Sequence, residues 1–237
     1  MNTYQVRLEG REEVAESTMA FHFEKPAGFS FKPGQAVDVV INLPAGQNAS
    51  HTFSLVSAPF ENELIVATRM RNSVFKQALG SLPIGSRAEI NGPTGSLTLH
   101  HDLARPGVFM AGGIGITPFM SILRQAAKDQ LAQRLLLLYS NHRPEDAAFL
   151  AELQRLEVKN KYFRMIAMMT RMSASSRSWE GETRRINEDL VKRAVHDLSA
   201  PIYYLAGPPD MVEALRDTLD YVGIHDDDIR SEEFYGY

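Results

Sequence analysis

The chain has 237 residues, with 25 Lys or Arg against 29 Asp or Glu, so its net charge is −4 with the histidines neutral. That length allows one to two domains with a real core, and 44% hydrophobic residues make an ordinary folded composition, which excludes disordered, fibrous and low-complexity chains. The charge balance gives no global attraction to nucleic acid or to an anionic membrane. The absence of cysteine excludes disulfides, thiolate metal sites, iron–sulfur clusters ligated by this chain and a cysteine nucleophile. Residues 1–10 alternate polar and apolar and include Arg7 and Glu9, a strand pattern and not a signal peptide, so a cytoplasmic location is expected.

Short β segments are predicted at 3–8, 18–23, 36–42, 52–57, 63–70, 87–91 and 96–99, with one short helix at 74–79. Lys-Pro, Pro-Gly, Leu-Pro-Ile-Gly and Gly-Pro-Thr-Gly punctuate them, which fits an antiparallel barrel or sandwich. From Arg105 onward the pattern changes to strand and helix in alternation. Strands are predicted at 107–110, 135–139, 162–169 and 202–206. Between them lie helix stripes carrying Phe119, Ile122 and Leu123, then Phe149, Leu153 and Leu156, then Leu190, Val191 and Ala194 behind an Asn187 N-cap, and finally Met211, Val212, Leu215 and Leu219. Continuous apolar strands alternating with helices mean a parallel sheet covered by helices. The expected architecture is thus α+β with two domains: an antiparallel six-stranded β-barrel over 1–101, then an α/β parallel-sheet domain over 106–237. Residues 106–123 form an uncharged run of 18, but six of them are Gly or Pro, which suits a strand, a tight loop and a helix start better than a membrane span.

In parallel α/β sheets, ligands sit beyond the carboxyl ends of the strands, where helix N-termini offer N–H groups to phosphates. Two loops match that description. Gly112-Gly113-Ile114-Gly115-Ile116-Thr117-Pro118 follows a strand and opens a helix, and its glycines let backbone approach a pyrophosphate. Gly207-Pro208-Pro209, leading to Met211, is again a strand-to-helix turn. Taken alone, each also reads as a purely structural turn. His100-His101 is an adjacent pair whose side chains point apart on extended backbone, so no metal site is expected.

Several separated segments, in order, resemble the ferredoxin-NADP reductase family of flavoproteins over nearly the whole chain. His51-Thr52-Phe53-Ser54 stands where that family has R-x-Y-S, and Thr68 to Leu79, with Arg69, Arg71, Asn72, Ser73 and Val74 and with Ala67 just before it, stands where it has its diphosphate-binding segment with a serine at a helix start. Gly92-Pro93-Thr94-Gly95 resembles the loop closing its flavin domain, Gly112 to Pro118 resembles G-G-x-G-x-T-P, and Ala206 to Met211 resembles C-G-P-P-x-M. The acidic and aromatic end, with Glu232, Phe234 and Tyr237, is similar to the family's flavin-covering C-terminus.

The resemblance implies FAD in preference to FMN, with Phe53 against the isoalloxazine and Ser54 hydrogen-bonding near N5, the atom that receives hydride. It implies that Ser73 and its neighbours hold the diphosphate, with Arg69 and Arg71 supplying charge, and that Phe234 and Tyr237 shield the flavin while Glu232 or Glu233 assists proton balance. Two positions depart from the family: His51 replaces a permanently charged arginine, and Ala206 replaces a cysteine beside the nicotinamide. Arg143, Arg171 and the Arg184-Arg185 pair stand where NADPH-using members carry a 2′-phosphate clamp, so NADP(H) is expected ahead of NAD(H). The implied activity is hydride transfer from NAD(P)H to flavin, followed by delivery to a ferredoxin, a flavodoxin or an oxygenase component, by a monomer bound to neither nucleic acid nor membrane. Two alternatives remain open: an NAD(P)H:flavin reductase that releases reduced flavin, and a non-catalytic flavin-binding subunit of a larger electron-transfer complex.

Overall fold

The computed structural model describes residues 2–43 and 46–235. These fall into two compact units, one made of Met1–Thr98 with Thr117–Gln125, the other of Leu99–Ile116 with Ala126–Tyr237.

The first unit is a six-stranded antiparallel sheet. Its strands are β1 (Asn2–Ala15), β2 (Thr18–Glu24), β3 (Ala36–Asn42), β4 (Asn48–Ser54), β5 (Glu63–Arg69) and β6 (Arg87–Thr94), in spatial order β4-β3-β6-β1-β2-β5. Just beyond β4, Leu55 bridges Val66 of β5, so the two edge strands meet and the sheet curls into the expected barrel. Alternate residues such as Leu8, Phe21, Phe23, Val37, Val39, Leu64 and Val66 point inward and are wholly buried, as a two-residue period requires. Helix α1 (Val74–Ser81) adds Phe75 and Leu79 to the same core.

Three strand expectations are corrected. β1 runs on through a polar stretch to Ala15, because β2 pairs with it across the turn at Ser17 and a bulge at residues 8–10 absorbs the irregularity. β4 begins and ends earlier than expected, since its register is set by the hairpin with β3, from Asn42 opposite Asn48 to Ala36 opposite Ser54. Residues 96–99 form no strand: Gly95 has φ +87° and the Thr98 N–H bonds back to the Ser96 carbonyl, which turns the chain instead of extending it.

The second unit is a five-stranded parallel sheet, β11-β10-β7-β8-β9, made of β7 (Gly107–Gly112), β8 (Leu135–Asn141), β9 (Phe163–Met169), β10 (Ile202–Gly207) and β11 (Ile229–Glu233). Helices α2 (Thr117–Lys128), α3 (Leu150–Lys159), α4 (Glu188–Val195) and α5 (Pro209–Tyr221) connect them. One face of the sheet, with Val108, Met110, Leu136, Leu138 and Leu205, packs on Leu190 and Val191 of α4 and on Val212, Leu215 and Leu219 of α5. Asn187 caps α4 as expected, its side chain accepting from the Leu190 N–H at 3.0 Å. β11 is the strand that sequence patterning missed; it pairs in parallel with β10, Ala206 opposite Glu232.

The first nine residues of α2 belong to the barrel unit: the Ser121 hydroxyl donates to the Ser57 carbonyl at 2.7 Å and Arg124 pairs with Glu61 at 3.3 Å. Among the described residues no helix is long and apolar enough to cross a membrane, and no group of three or more His, Asp or Glu side chains is arranged to hold a metal ion.

Candidate functional site

In the barrel unit, the end of β4 and the start of α1 bring most of the expected flavin residues together. Phe53 and Ser54 are buried at the end of β4, while Thr52 faces outward and donates to Asp38 on β3. The His51 ring stacks on Phe53, with centroids 4.7 Å apart at 18°, and both rings meet Phe75 of α1, at 5.7 and 5.9 Å. His51 Nδ1 lies 2.9 Å from the Thr52 carbonyl, so Nδ1 carries the proton and donates it there; in the neutral ring Nε2 is then an acceptor. An acceptor cannot take the place of an arginine facing a phosphate.

Ala67, Thr68 and Arg69 close β5 opposite Ala20, Met19 and Thr18, with Ala67 and Thr68 buried and Arg69 partly exposed. Arg71 and Asn72 are exposed, and the Asn72 side chain is fixed by the Gln77 amide at 2.8 Å. Ser73 stands at the N-cap of α1, yet its hydroxyl makes no cap bond to that helix, so capping does not account for it. Val74 is 70% exposed at the first helical position, an apolar side chain presented to solvent beside these polar groups. The sequence reading missed Lys76, which lies on the same buried face of α1 as Phe75 and Leu79 and is only 6% exposed. Burial first, and the Arg71 charge second, push its ammonium below the usual lysine range.

In the parallel-sheet unit, the two glycine turns lie side by side. A Cβ on Gly112 would run into the Met211 thioether and come within 3.3 Å of Pro208 Cδ; one on Gly115 would run into the Ala206 carbonyl and meet the Gly207 nitrogen at 2.7 Å. Gly113 has φ +53°, a conformation that favours glycine. From there a short 3₁₀ turn, Gly113–Ile116, leads directly into Thr117 and Pro118 at the start of α2. Only glycine backbone fits against the β10 turn, which leaves main-chain groups and no side chains at these positions.

The three clamp arginines differ in setting. Arg143 is held by Asp146, Nε to Oδ2 at 3.0 Å and Nη2 to Oδ1 at 2.8 Å, with the Arg143 N–H donating to the same carboxylate at 3.1 Å. Arg171 is exposed, and its backbone N–H donates to the His142 carbonyl at 2.8 Å, so the loops after β8 and β9 are tied together. Arg185 is exposed, three residues beyond the bridge between Glu182 and Met168, and no hydrogen bond joins it to the other two. Glu145 staples the β9 loop, accepting from both hydroxyls of Ser175 and Ser176 and from the Ser176 N–H at 2.8–2.9 Å. Its own backbone N–H and these donors pull its carboxyl down to about 2. At the far end, Glu232 is a half-buried member of β11, and the Phe234 N–H donates to the Gly207 carbonyl at 3.0 Å, which sets Phe234 beside the β10 turn. Tyr237 lies outside the described residues.

Two family models match the chain, and the second includes Thr117–Gln125, which the structure groups with the barrel unit. The model of the oxidoreductase FAD-binding domain matches residues 5–99, and that of the oxidoreductase NAD-binding domain matches residues 109–217. The chain belongs to the ferredoxin-NADP reductase family. The reductase component of propane 2-monooxygenase from Rhodococcus jostii is 27% identical over 214 residues, 89% of this chain and 57% of that protein. Ferredoxin--NADP reductase B from Sorangium cellulosum is 26% identical over 224 residues, 90% of each chain. A ferredoxin NADP+ reductase from Neisseria gonorrhoeae, solved with bound FAD and NADP, superposes with a TM-score of 0.81 at 22% identity, covering 98% of both chains, which shows the shared fold. The chain thus spans 57% and 61% of the length of two oxygenase reductase components that it matches, and 90% of the ferredoxin--NADP reductase from Sorangium.

The residues present fit the two groups these domains take. In the flavin domain a buried aromatic slab adjoins cations and an uncapped serine at a helix start, which suits an isoalloxazine with a phosphate tail. In the nucleotide domain Gly112 and Gly115 pack closely on the β10 turn, and the glycine turn leads straight into the N-terminus of α2, an arrangement that suits a pyrophosphate.

Proposed function

We propose that this chain is a cytoplasmic, monomeric FAD-dependent reductase that draws electrons from NADPH, and less readily NADH, and delivers them to a separate protein acceptor, either a ferredoxin, a flavodoxin or an oxygenase component. The observation that carries the reading is the pairing on one chain of an aromatic and cationic flavin site with a glycine cradle at the carboxyl edge of a parallel sheet. When bound, a nicotinamide supplies hydride and a flavin accepts it at N5 and releases electrons singly. The chain's own residues bind, orient and shield. Phe53 would pack against the flavin ring, and the buried Ser54 would offer it a hydrogen bond. Thr52, fixed by Asp38, keeps the β4 backbone in place; Ala67, Thr68, Arg69, Arg71, Asn72, Ser73 and Val74 form the wall and phosphate end of the site.

On the nucleotide side, Gly112, Gly113, Gly115, Thr117 and Pro118 receive the pyrophosphate. Gly207, Pro208, Pro209 and Met211 form the facing turn, and Arg171 and Arg185 meet the 2′-phosphate. Arg143, already engaged by Asp146, acts by shaping the loop. Glu232 and Phe234, which follow the β10 turn, would serve proton balance and shielding of the reaction. The reductase and oxygenase names of the relatives support delivery to a protein acceptor.

The reading is tested by steady-state NADPH oxidation with FAD present and a one-electron acceptor, ferricyanide, added. The expected result is acceptor reduction at two equivalents per NADPH, with NADH slower. Turnover that appears only with excess free flavin, rising with flavin concentration, would favour release of reduced flavin as the product. No turnover from a chain that holds flavin would favour a non-catalytic subunit.

A further inference from the structure

The loop that follows β9 leaves the sheet at Thr170 and is tied back to it at Glu182, whose carbonyl accepts the Met169 N–H at 2.9 Å and the Trp179 indole N–H at 3.1 Å. At its start, the Thr170 and Arg171 N–H groups donate to the Asn141 and His142 carbonyls of the β8 loop, at 2.9 and 2.8 Å. Between these ends none of residues 171–178 is buried, so no apolar packing anchors them. The hydrogen bonds that tie residues 172–178 to another segment end on Glu145. Its carboxylate accepts from the Ser175 hydroxyl, the Ser176 hydroxyl and the Ser176 N–H, at 2.8–2.9 Å. Glu145 itself stands on a short 3₁₀ turn, Pro144–Asp146, which the Arg143–Asp146 pair closes at 2.8 and 3.0 Å.

A carboxylate has about four lone-pair positions, and the three loop donors together with the Glu145 backbone N–H fill them. Glu145 is therefore built to hold a loop and not to receive a ribose hydroxyl. What it holds is joined directly to Arg171: the Ala174 N–H donates to the Arg171 carbonyl at 3.1 Å and the Ser175 N–H to the Met172 carbonyl at 3.0 Å, a tight turn over Met172–Ala174. His142 thus fixes Arg171 from one side and Glu145 from the other. We infer that Glu145 is a positioning residue that preforms the 2′-phosphate end of the nucleotide site, and with it the preference for NADPH over NADH, by anchoring the loop that carries Arg171. The inference rests on the reading of Arg171 as a partner of the 2′-phosphate. Without the anchor, the loop must be ordered when the phosphate binds, and that entropy is lost from the affinity for NADPH. NADH has no 2′-phosphate, draws nothing from this loop and is unaffected.

The test is steady-state kinetics of the full chain with FAD and ferricyanide, NADPH and NADH being varied separately, for the wild type, Arg171→Ala, Glu145→Ala, Glu145→Gln and Ser176→Ala. Inhibition by adenosine 2′,5′-bisphosphate and by 5′-AMP is measured alongside. Glu145→Ala is expected to raise KM for NADPH by about tenfold, with kcat and KM for NADH within about twofold of wild type. The bisphosphate should inhibit more weakly in the same proportion and 5′-AMP as before. Glu145→Gln keeps a carbonyl acceptor and gains an amide that can donate to a serine oxygen, so it restores most of the loss. Ser176→Ala, which removes one exposed hydroxyl, shifts KM for NADPH in the same direction by less, and carries the test if Glu145→Ala fails to fold. The proposal is overturned if Glu145→Ala and Ser176→Ala leave KM for NADPH unchanged while Arg171→Ala raises it. It is equally overturned if both nucleotides weaken alike, which would make Glu145 a general scaffold residue, or if NADPH binds more tightly, which would make it an acid opposing the phosphate. An Arg171→Ala variant with the wild-type KM for NADPH would remove the 2′-phosphate reading, and this assignment with it.

Discussion

Arg143 and Arg171 stand two loops apart in sequence and are joined through backbone bonds at His142, but only Arg171 presents its guanidinium outward. A guanidinium bound bidentately to a buried carboxylate has already spent its fork geometry, whereas an exposed one is available to a 2′-phosphate. Arg171→Ala is therefore expected to lower kcat/KM for NADPH by about ten- to a hundredfold, the worth of one or two charge-assisted hydrogen bonds, with kcat/KM for NADH nearly unchanged. Arg143→Ala is expected to impair both nucleotides alike, since it releases Asp146 and the turn that Asp146 caps. The measurement is initial rates with both nucleotides at varied concentration; an Arg171→Ala variant that loses NADH and NADPH equally would remove the clamp assignment. At this scale, what could be read from sequence were contiguous motifs. His51 to Ser54, Ser73 and the glycine turns are local strings; the first two lie at the end of β4 and the start of α1, and the glycine turns lie side by side. Lys76 was not legible, because a lone lysine three residues after a serine reads as a solvated helix face until Phe75 and Leu79 are seen to share its burial. Nor was the Arg143–Asp146 pair, although its i,i+3 spacing across a Pro-led turn was available as a signal.

At the scale of elements, the nucleotide site depends on two parallel strands ending side by side with almost no side chain between them. Gly115 backs directly onto the Ala206 carbonyl and Gly207, which are main-chain atoms that cannot swing aside as a side chain can. Gly115→Ala is expected to destabilise the parallel-sheet unit by about 1–3 kcal/mol, as overpacking does. NADP binding should weaken in the same variant, while FAD affinity, carried by barrel residues, stays unchanged. Thermal melting with nucleotide and flavin titrations checks this; a variant as stable as wild type would contradict close packing of Gly115 against the β10 turn. Element type was readable wherever a hydrophobic period was sustained, as in β3, β5, β7 and α5. It was unreadable where a partner strand decides. The outer half of β1 is polar and exists because β2 pairs with it. β11 is a half-polar edge strand, Ile229 to Glu233, held by β10, and on its own it reads as an acidic tail. Residues 96–99 carry a strand's composition, but a positive-φ glycine and a local turn take up the backbone groups that a ladder would need.

On the scale of the whole molecule, the chain joins a unit that closes an antiparallel sheet on an apolar core to one that stacks helices on a parallel sheet. With no cysteine the chain ligates no iron–sulfur cluster, and the cofactors its two domains take are a flavin and a nicotinamide. The central claim is that electrons pass from a nicotinamide to a flavin on this one chain. The most direct test is the visible spectrum of the FAD-loaded protein, recorded anaerobically before and after one equivalent of NADPH and, separately, of NADH. The account predicts a flavin band near about 450 nm that bleaches with either nucleotide, faster with NADPH. A chain that takes up no flavin, or holds flavin that neither nucleotide bleaches, would contradict it.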